Sequence, residues 1–189
     1  MNKHIISLAG ELASGKGTVS KLLSEELNYE IYRNGAYFRK LAKQKNMSVT
    51  EFNIYVKDHP EIDEQIEKSA AEYAKEHDNL IIDARLGWYA VPQSFKVYLT
   101  VDINEAAKRA FYDESVDRKD TEKFASIAEQ KEDMQKRYKL ENERYFNLYG
   151  VRKEDLSNYD LVIDTTNINP EQVKEKIKNE YIKWLEKQS

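Results

Sequence analysis

Five short stretches of this chain read as strands, and the segments between them carry apolar residues at helical spacing. His4–Ala9, Leu80–Asp83, Lys96–Val101 and Leu161–Asp164 are brief apolar runs, the pattern of strands buried on both faces of a parallel sheet. Glu30–Tyr32 adds a shorter strand that ends at Arg33-Asn34-Gly35. Val19, Leu22, Leu23 and Leu27 mark one face of the first helix. Asn34 is expected to cap a second helix carrying Phe38, Leu41 and Ala42, and Ser48-Val-Thr-Glu51 is a capping box opening a third. Pro60 suits the first turn of a helix running to about His77, with Ile62, Ile66, Ala70 and Tyr73 in step. Asn104 begins another helix. Residues 113–121, DESVDRKDT, are charged and aperiodic and read as a mobile surface loop. A long helix is expected from about Glu122 to Tyr149, stopped by Gly150, and Asn169-Pro170 starts the last, which buries Val173, Ile177, Tyr181 and Leu185. This alternation predicts an α/β fold: a five-stranded parallel sheet between two layers of helices, with ligands beyond the carboxyl ends of the strands.

The stretch Gly10–Thr18, GELASGKGT, sits between the first strand and the first helix. Strand, glycine-rich loop and helix in that order make a phosphate-binding P-loop. Gly10 and Gly15 let the backbone turn tightly, and the helix that follows aims its positive end at the phosphates. Ser14, Gly15, Lys16, Gly17 and Thr18 are therefore candidate ATP-phosphate ligands. Lys16 would lie against the β- and γ-phosphates, and the hydroxyl of Thr18 would join a magnesium shell. The hydroxyl stands two residues after the lysine, not one, and this GKGT form is typical of nucleoside monophosphate kinases.

Composition narrows the class. The 189 residues contain 30 Lys plus Arg against 34 Asp plus Glu, a net charge of −4, which argues against nonspecific nucleic-acid binding. With no cysteine, disulfides and thiolate metal sites are excluded. No stretch is long and apolar enough for a membrane span or a signal peptide, so a single-domain cytoplasmic protein is expected.

Phosphoryl transfer asks the protein chiefly to align and neutralise phosphates, so arginines near strand ends carry the chemistry. Arg39 lies one turn into the second helix, Arg85 two residues past the third strand, Arg109 before the charged loop and Arg118 within it. Arg137 and Arg144, seven residues apart, share one face of the long helix. Asp83 ends a strand beside the P-loop, where it would hold magnesium or contact the acceptor ribose.

Several segments together, SGKGTVSKLL, NGAYFRKLA, DHPEIDEQI, IIDARLGW, ERYFNLYG and YDLVIDTT, resemble cytidylate kinases in the compact form found in archaea and some bacteria. The likeness runs in register over nearly the whole chain. It implies a P-loop core (1–33, 79–111 and 150–189), a helical insertion for the nucleoside monophosphate (about 34–78) and a lid of loop plus long helix (about 112–149). It implies an enzyme that passes the γ-phosphoryl of ATP to CMP or dCMP with Mg²⁺, acting as a monomer. In that scheme Gly35 belongs to the acceptor site, Arg39 and Arg85 clamp the acceptor phosphate, and Asp63 faces the cytosine amino group. Arg109, Arg137 and Arg144 serve catalysis, the last two reaching down from the long helix onto phosphates.

Glu11 and Leu12 depart from the small residues usual inside such a loop, and a carboxylate at Glu11 would repel phosphate unless it turned outward. Ala106 and Tyr112-Asp113-Glu114 stand where further arginines would be expected, and Asp117 and Asp120 add to an acidic lid. A kinase for another small acceptor, and a nucleotide-binding protein without transfer, stay open at this point.

Overall fold

The computed structural model describes residues 3–113 and 124–188. Five parallel strands, β1 (Ile5–Gly10), β2 (Glu30–Arg33), β3 (Leu80–Asp83), β4 (Phe95–Thr100) and β5 (Leu161–Asp164), lie in the order β2-β3-β1-β4-β5. All six residues of β1, the central strand, are buried, as a strand with helices on both faces requires. Its side chains alternate between two cores. Ile6 and Leu8 join Val97, Leu99 and Ile163 beneath α1 (Lys16–Leu27) and α8 (Pro170–Gln188), which contribute Val19, Leu23, Val173, Ile177 and Tyr181. On the other face Ile5 packs with Leu80, Ile82 and Ala74, the last from α4 (Pro60–Glu76). Further along that face Ala9 meets Leu86, Trp88, Tyr98 and Tyr145, the last from α7 (Ile127–Tyr149).

Between β2 and β3 the chain runs through α2 (Asn34–Gln44), α3 (Val49–Lys57) and α4. Ala42, Phe52 and Val56 give α2 and α3 a small core of their own, with Phe38 and Ile62 against it. The capping box forms as expected: Ser48 Oγ accepts from the Glu51 amide, and the Glu51 carboxylate accepts from the Ser48 amide.

Several boundaries differ from the sequence reading. Asn34 does not cap α2; it is the first helical residue, and Arg33 stands at the cap position without a side-chain bond. The sequence placed Asn34 as a cap because its amide suits one, but the side chain is buried. The helix expected from Asn104 is α6 (Ile103–Phe111), capped by Asp102, whose Oδ1 accepts from the Asn104 and Glu105 amides. The long helix starts at Ile127 under a Ser126 cap. Glu114, Asp117, Arg118, Asp120 and the expected start at Glu122 lie outside the described residues. A one-turn helix, α5 (Gly87–Ala90), and a 3₁₀ turn, Leu156–Asn158, carry no period long enough to read in the sequence.

Parallel register aligns the strand ends on one edge. Asp83 pairs with both Leu8 and Arg33, Gly10 with Leu99, and Thr100 with Asp164. At Gly10 the chain leaves β1 with φ of 151°, and a Cβ there would lie 2.5 Å from the Leu99 carbonyl oxygen. Replacing this glycine therefore forces backbone to move at the root of the loop. Gly10→Ala is expected to lower stability by about 1–3 kcal/mol. Denaturant unfolding monitored by circular dichroism checks this, and a midpoint matching wild type would show that the turn relaxes freely.

Candidate active site

The loop Gly10–Gly15 delivers the chain into α1 with no side-chain cap and no acidic residue in the first turn. Gly15 occupies the cap position at φ 88°, a conformation that glycine adopts without strain. The amides of Thr18 and Val19 both return to the Gly15 carbonyl, at 3.1 and 3.0 Å, which leaves those of Lys16 and Gly17 without an acceptor in the helix. An uncapped positive helix end with converging N–H groups is an anion site. Glu11 does not spoil it. Its Oε2 accepts from the Val101 amide at 2.7 Å, which turns the carboxylate toward the end of β4 and away from the cleft.

Lys16 folds back over the loop, donating to the Gly10 and Glu11 carbonyls at 2.9 Å each. Burial, followed by the neighbouring Arg85 guanidinium, pushes its pKa down to about 7, with Asp83 pulling the other way. The ammonium is thus held ready without a carboxylate directly on it. Thr18 is exposed at the same helix end. Asp83 Oδ2 lies 3.5 Å from Ser20 Oγ and 3.9 Å from Arg33 Nε.

A cleft of about 670 Å³ opens over this loop. One end holds Arg33, Gly35, Arg39, Asp83 and Arg85; the other is walled by Thr165, Ile168, Asn169 and Pro170. Arg109 belongs to the second end. It is fastened by its Nε to Glu105 at 2.9 Å and by Nη2 to the Thr165 and Thr166 carbonyls at 2.9 and 3.1 Å. Arg137 reaches the same cleft from α7.

A second, narrow cavity of about 60 Å³ adjoins the first, and Gly35, Arg39, Asp83, Arg85 and Arg137 line both. Its far wall is polar and buried: Asp63 and Glu67 from α4, Asn34 from α2, and Arg144 from α7. Arg144 Nε lies 2.6 Å from Asp63 Oδ2, and its Nη1 donates to Asn53 Oδ1 at 2.7 Å. Burial pushes the Asp63 carboxyl up to about 6, against the pull of Arg144. Glu67 is raised further, to about 8, through burial and then the proximity of Asp63.

The structure thus brings Gly10, Ser14, Gly15, Lys16, Gly17, Thr18, Gly35, Arg39, Asp83, Arg85, Arg109 and Arg137 around or beneath one cleft. It sets Asp63 and Arg144 together in the adjoining cavity, so Arg144 does not share the P-loop cleft with Arg137. Sequence reasoning missed Arg33, Asn34, Glu67, Glu141 and Lys153. Of these, Arg33 had a readable signal in its place at the end of the second strand, and Glu141 in being an acid midway between two arginines on one helix face. Trp88 packs below the cavity with Tyr145 and Tyr159, lining neither space.

Comparison with known proteins points to one family. Residues 5–167 match the cytidylate kinase-like family. The cytidylate kinase of Pyrococcus horikoshii is 38% identical over 173 residues, spanning 91% of this chain and 85% of that one. That of Thermoplasma acidophilum is 34% identical over 172 residues, spanning 89% and 87%. Shikimate kinase from Bacteroides thetaiotaomicron superposes with a TM-score of 0.61 at 13% identity, over 93% of this chain and 97% of that one, which is a likeness of fold.

The lowered pKa of Lys16 has a measurable consequence. A polyphosphate anion at its tip favours the charged form and pulls the pKa back up. Binding of a triphosphate at about pH 8.5, where the ligand itself is fully ionised, should then take up close to one proton per site. Calorimetry in two buffers of different ionisation enthalpy reads this directly. Lys16→Met should abolish the uptake, and its persistence in that variant would assign the proton elsewhere.

Proposed function

The chain belongs to the cytidylate kinase-like family, and from that premise we propose that it transfers the γ-phosphoryl group of ATP to CMP or dCMP, giving ADP and the diphosphate. It is an ATP-dependent phosphotransferase. The observation that carries the acceptor reading is the pair of connected cavities with a cationic junction: an anion-binding helix end in one, a buried polar wall in the other, and Arg39 and Arg85 in both. A donor triphosphate on α1 and an acceptor phosphate at the junction would face each other across Lys16.

Arg39 and Arg85 hold the acceptor phosphate, whose dianion suits planar guanidinium donors. An acceptor oxygen is already anionic, so in-line attack needs neither a general base nor a covalent enzyme intermediate. The P-loop amides and Lys16 meet the donor phosphates, and Arg137 meets the charge that spreads over the group in flight. Arg109 steadies the donor end of the cleft. Among the described residues no cluster of three His, Asp or Glu side chains could hold a metal by itself. Asp83 with the Thr18 hydroxyl instead suits a Mg²⁺ that arrives with ATP and keeps phosphate and water ligands. Its contribution there is neutralisation of charge on the β- and γ-phosphates.

The cytosine preference rests on the far wall of the second cavity. Asp63, oriented by Arg144, presents a carboxylate that accepts from an exocyclic amino group; uracil offers a carbonyl there and is repelled. No helix among the described residues is long and apolar enough to cross a membrane, and the reading carries with it a monomeric enzyme of the cytoplasm.

ADP release, measured with each nucleoside monophosphate offered singly, should be fastest with CMP and dCMP. Activity confined to AMP, GMP or a non-nucleotide acceptor would remove the cytidine assignment and leave the kinase. Lys16→Ala should cost about 10²-fold or more in kcat. Arg85→Ala should raise the acceptor KM while leaving the KM for ATP nearly unchanged; unchanged acceptor kinetics would remove Arg85 from the clamp.

A further inference from the structure

Behind the acceptor clamp lies a buried charge cluster with no part in the chemistry described so far. Glu141, on α7, is almost fully enclosed, with its side chain 6% exposed. It takes Arg85 side-on, Nε to Oε2 at 2.7 Å and Nη2 to Oε1 at 3.4 Å. The same Oε2 accepts from Lys153 Nζ at 2.7 Å. Lys153 is as enclosed as its partner, with a side chain 3% exposed, and its ammonium sits 4.7 Å from the Tyr138 ring centroid. Burial alone would raise the Glu141 carboxyl, yet Arg85, Lys153 and Arg137 hold it well below the ordinary range.

Two buried lysine and glutamate side chains are costly to a fold that needs only packing at this place. Their arrangement has a feature that packing does not explain. Glu141 engages one edge of the Arg85 guanidinium and leaves the Nη1 amino group outside the pairing, while Arg85 lines both cavities. A single glutamate on Arg85 would orient it but would also cancel its charge. Lys153 shares that glutamate, so one carboxylate stands against two cations and one positive charge is left over.

We infer that Glu141 and Lys153 are positioning residues of the acceptor site: Glu141 sets the Arg85 guanidinium, and Lys153 keeps the site positive enough to attract a phosphate dianion. The inference rests on the clamp role of Arg85 proposed above. It also ties the clamp to α7, because Glu141 stands on the same helix face as Arg137, four residues before it, and Arg144, three after.

The test is a set of steady-state measurements on Glu141→Gln, Lys153→Met and Lys153→Arg. It uses whichever monophosphate the wild type turns over best, so that failure of the cytidine assignment leaves it intact. Glu141→Gln and Lys153→Met should each raise the acceptor KM by about tenfold or more. The KM for ATP should move by less than about twofold, and Lys153→Arg should recover most of the acceptor affinity. In an Arg85→Ala background, Glu141→Gln should have no further effect on acceptor KM, because its target is gone. A purely structural Glu141 predicts the same factor with and without Arg85, and that result overturns the inference. An unchanged acceptor KM in Glu141→Gln, or equal losses for both substrates, overturns it as well. Should Glu141→Gln fail to fold with Lys153 left unpaired, Glu141→Gln/Lys153→Met is compared with Lys153→Met alone, in the presence and absence of Arg85; the added Glu141→Gln factor should vanish without Arg85, and its persistence overturns the inference.

Discussion

A site for two phosphorylated ligands must gather cations, and gathered cations repel. That constraint explains much of the polar structure around this cleft. Four of these cations have partners that orient them. Lys16 lies on two loop carbonyls, Arg109 on the carbonyls after β5, Arg85 on Glu141 and Arg144 on Asp63. Where the partner is a carbonyl, no opposite charge is set against the cation. Where it is a carboxylate, part of the charge is spent on orientation. Both kinds of partner occur in the cleft: Lys16 lies on carbonyls alone, Arg85 on a carboxylate, and Arg109 on Glu105 as well as on carbonyls.

The fold supplies the geometry that makes such pairing possible. Parallel register brings Gly10, Arg33, Asp83 and Asp164 to one edge, so residues from four strands converge without long side chains having to reach. The close approach of Gly10 to Leu99 lets the loop turn directly over that edge. Glu11 then has a use: its carboxylate takes the Val101 amide just past β4 and ties the loop to the neighbouring strand. A residue that looked hostile to phosphate in the sequence serves as a brace pointing the other way.

This shows what a sequence can and cannot say here. The strands, the loop and the helices were legible because period, glycine and caps are local signals, and the strand ends followed from them. Arg39, Arg85 and Asp83 could be nominated because their place after a strand or at a helix start decides which edge they occupy. Their partners could not. Arg85 and Glu141 are 56 residues apart in the chain, and nothing near either one names the other. The surroundings of Arg144 were hidden for the same reason: the seven-residue spacing from Arg137 gives the shared face, but the distance along the helix brings Arg137 to both spaces and Arg144 to the second alone. Glu67 and Asn34 were invisible because a polar residue on an amphipathic helix is normally solvated, and only tertiary packing buries these two.

The helix α7 gathers these threads. Arg137 reaches the first cleft, Glu141 holds the acceptor arginine between the two spaces, and Arg144 holds Asp63 in the second. Their spacing of four and three residues keeps all three on one face, so they share a rigid element. A small rotation or translation of α7 would therefore shift Arg137, the Arg85–Glu141 pairing and the Asp63–Arg144 pair together. Arg85 stands just past β3 and takes its orientation from Glu141 on α7, so its alignment requires the sheet and the helix to be in place together.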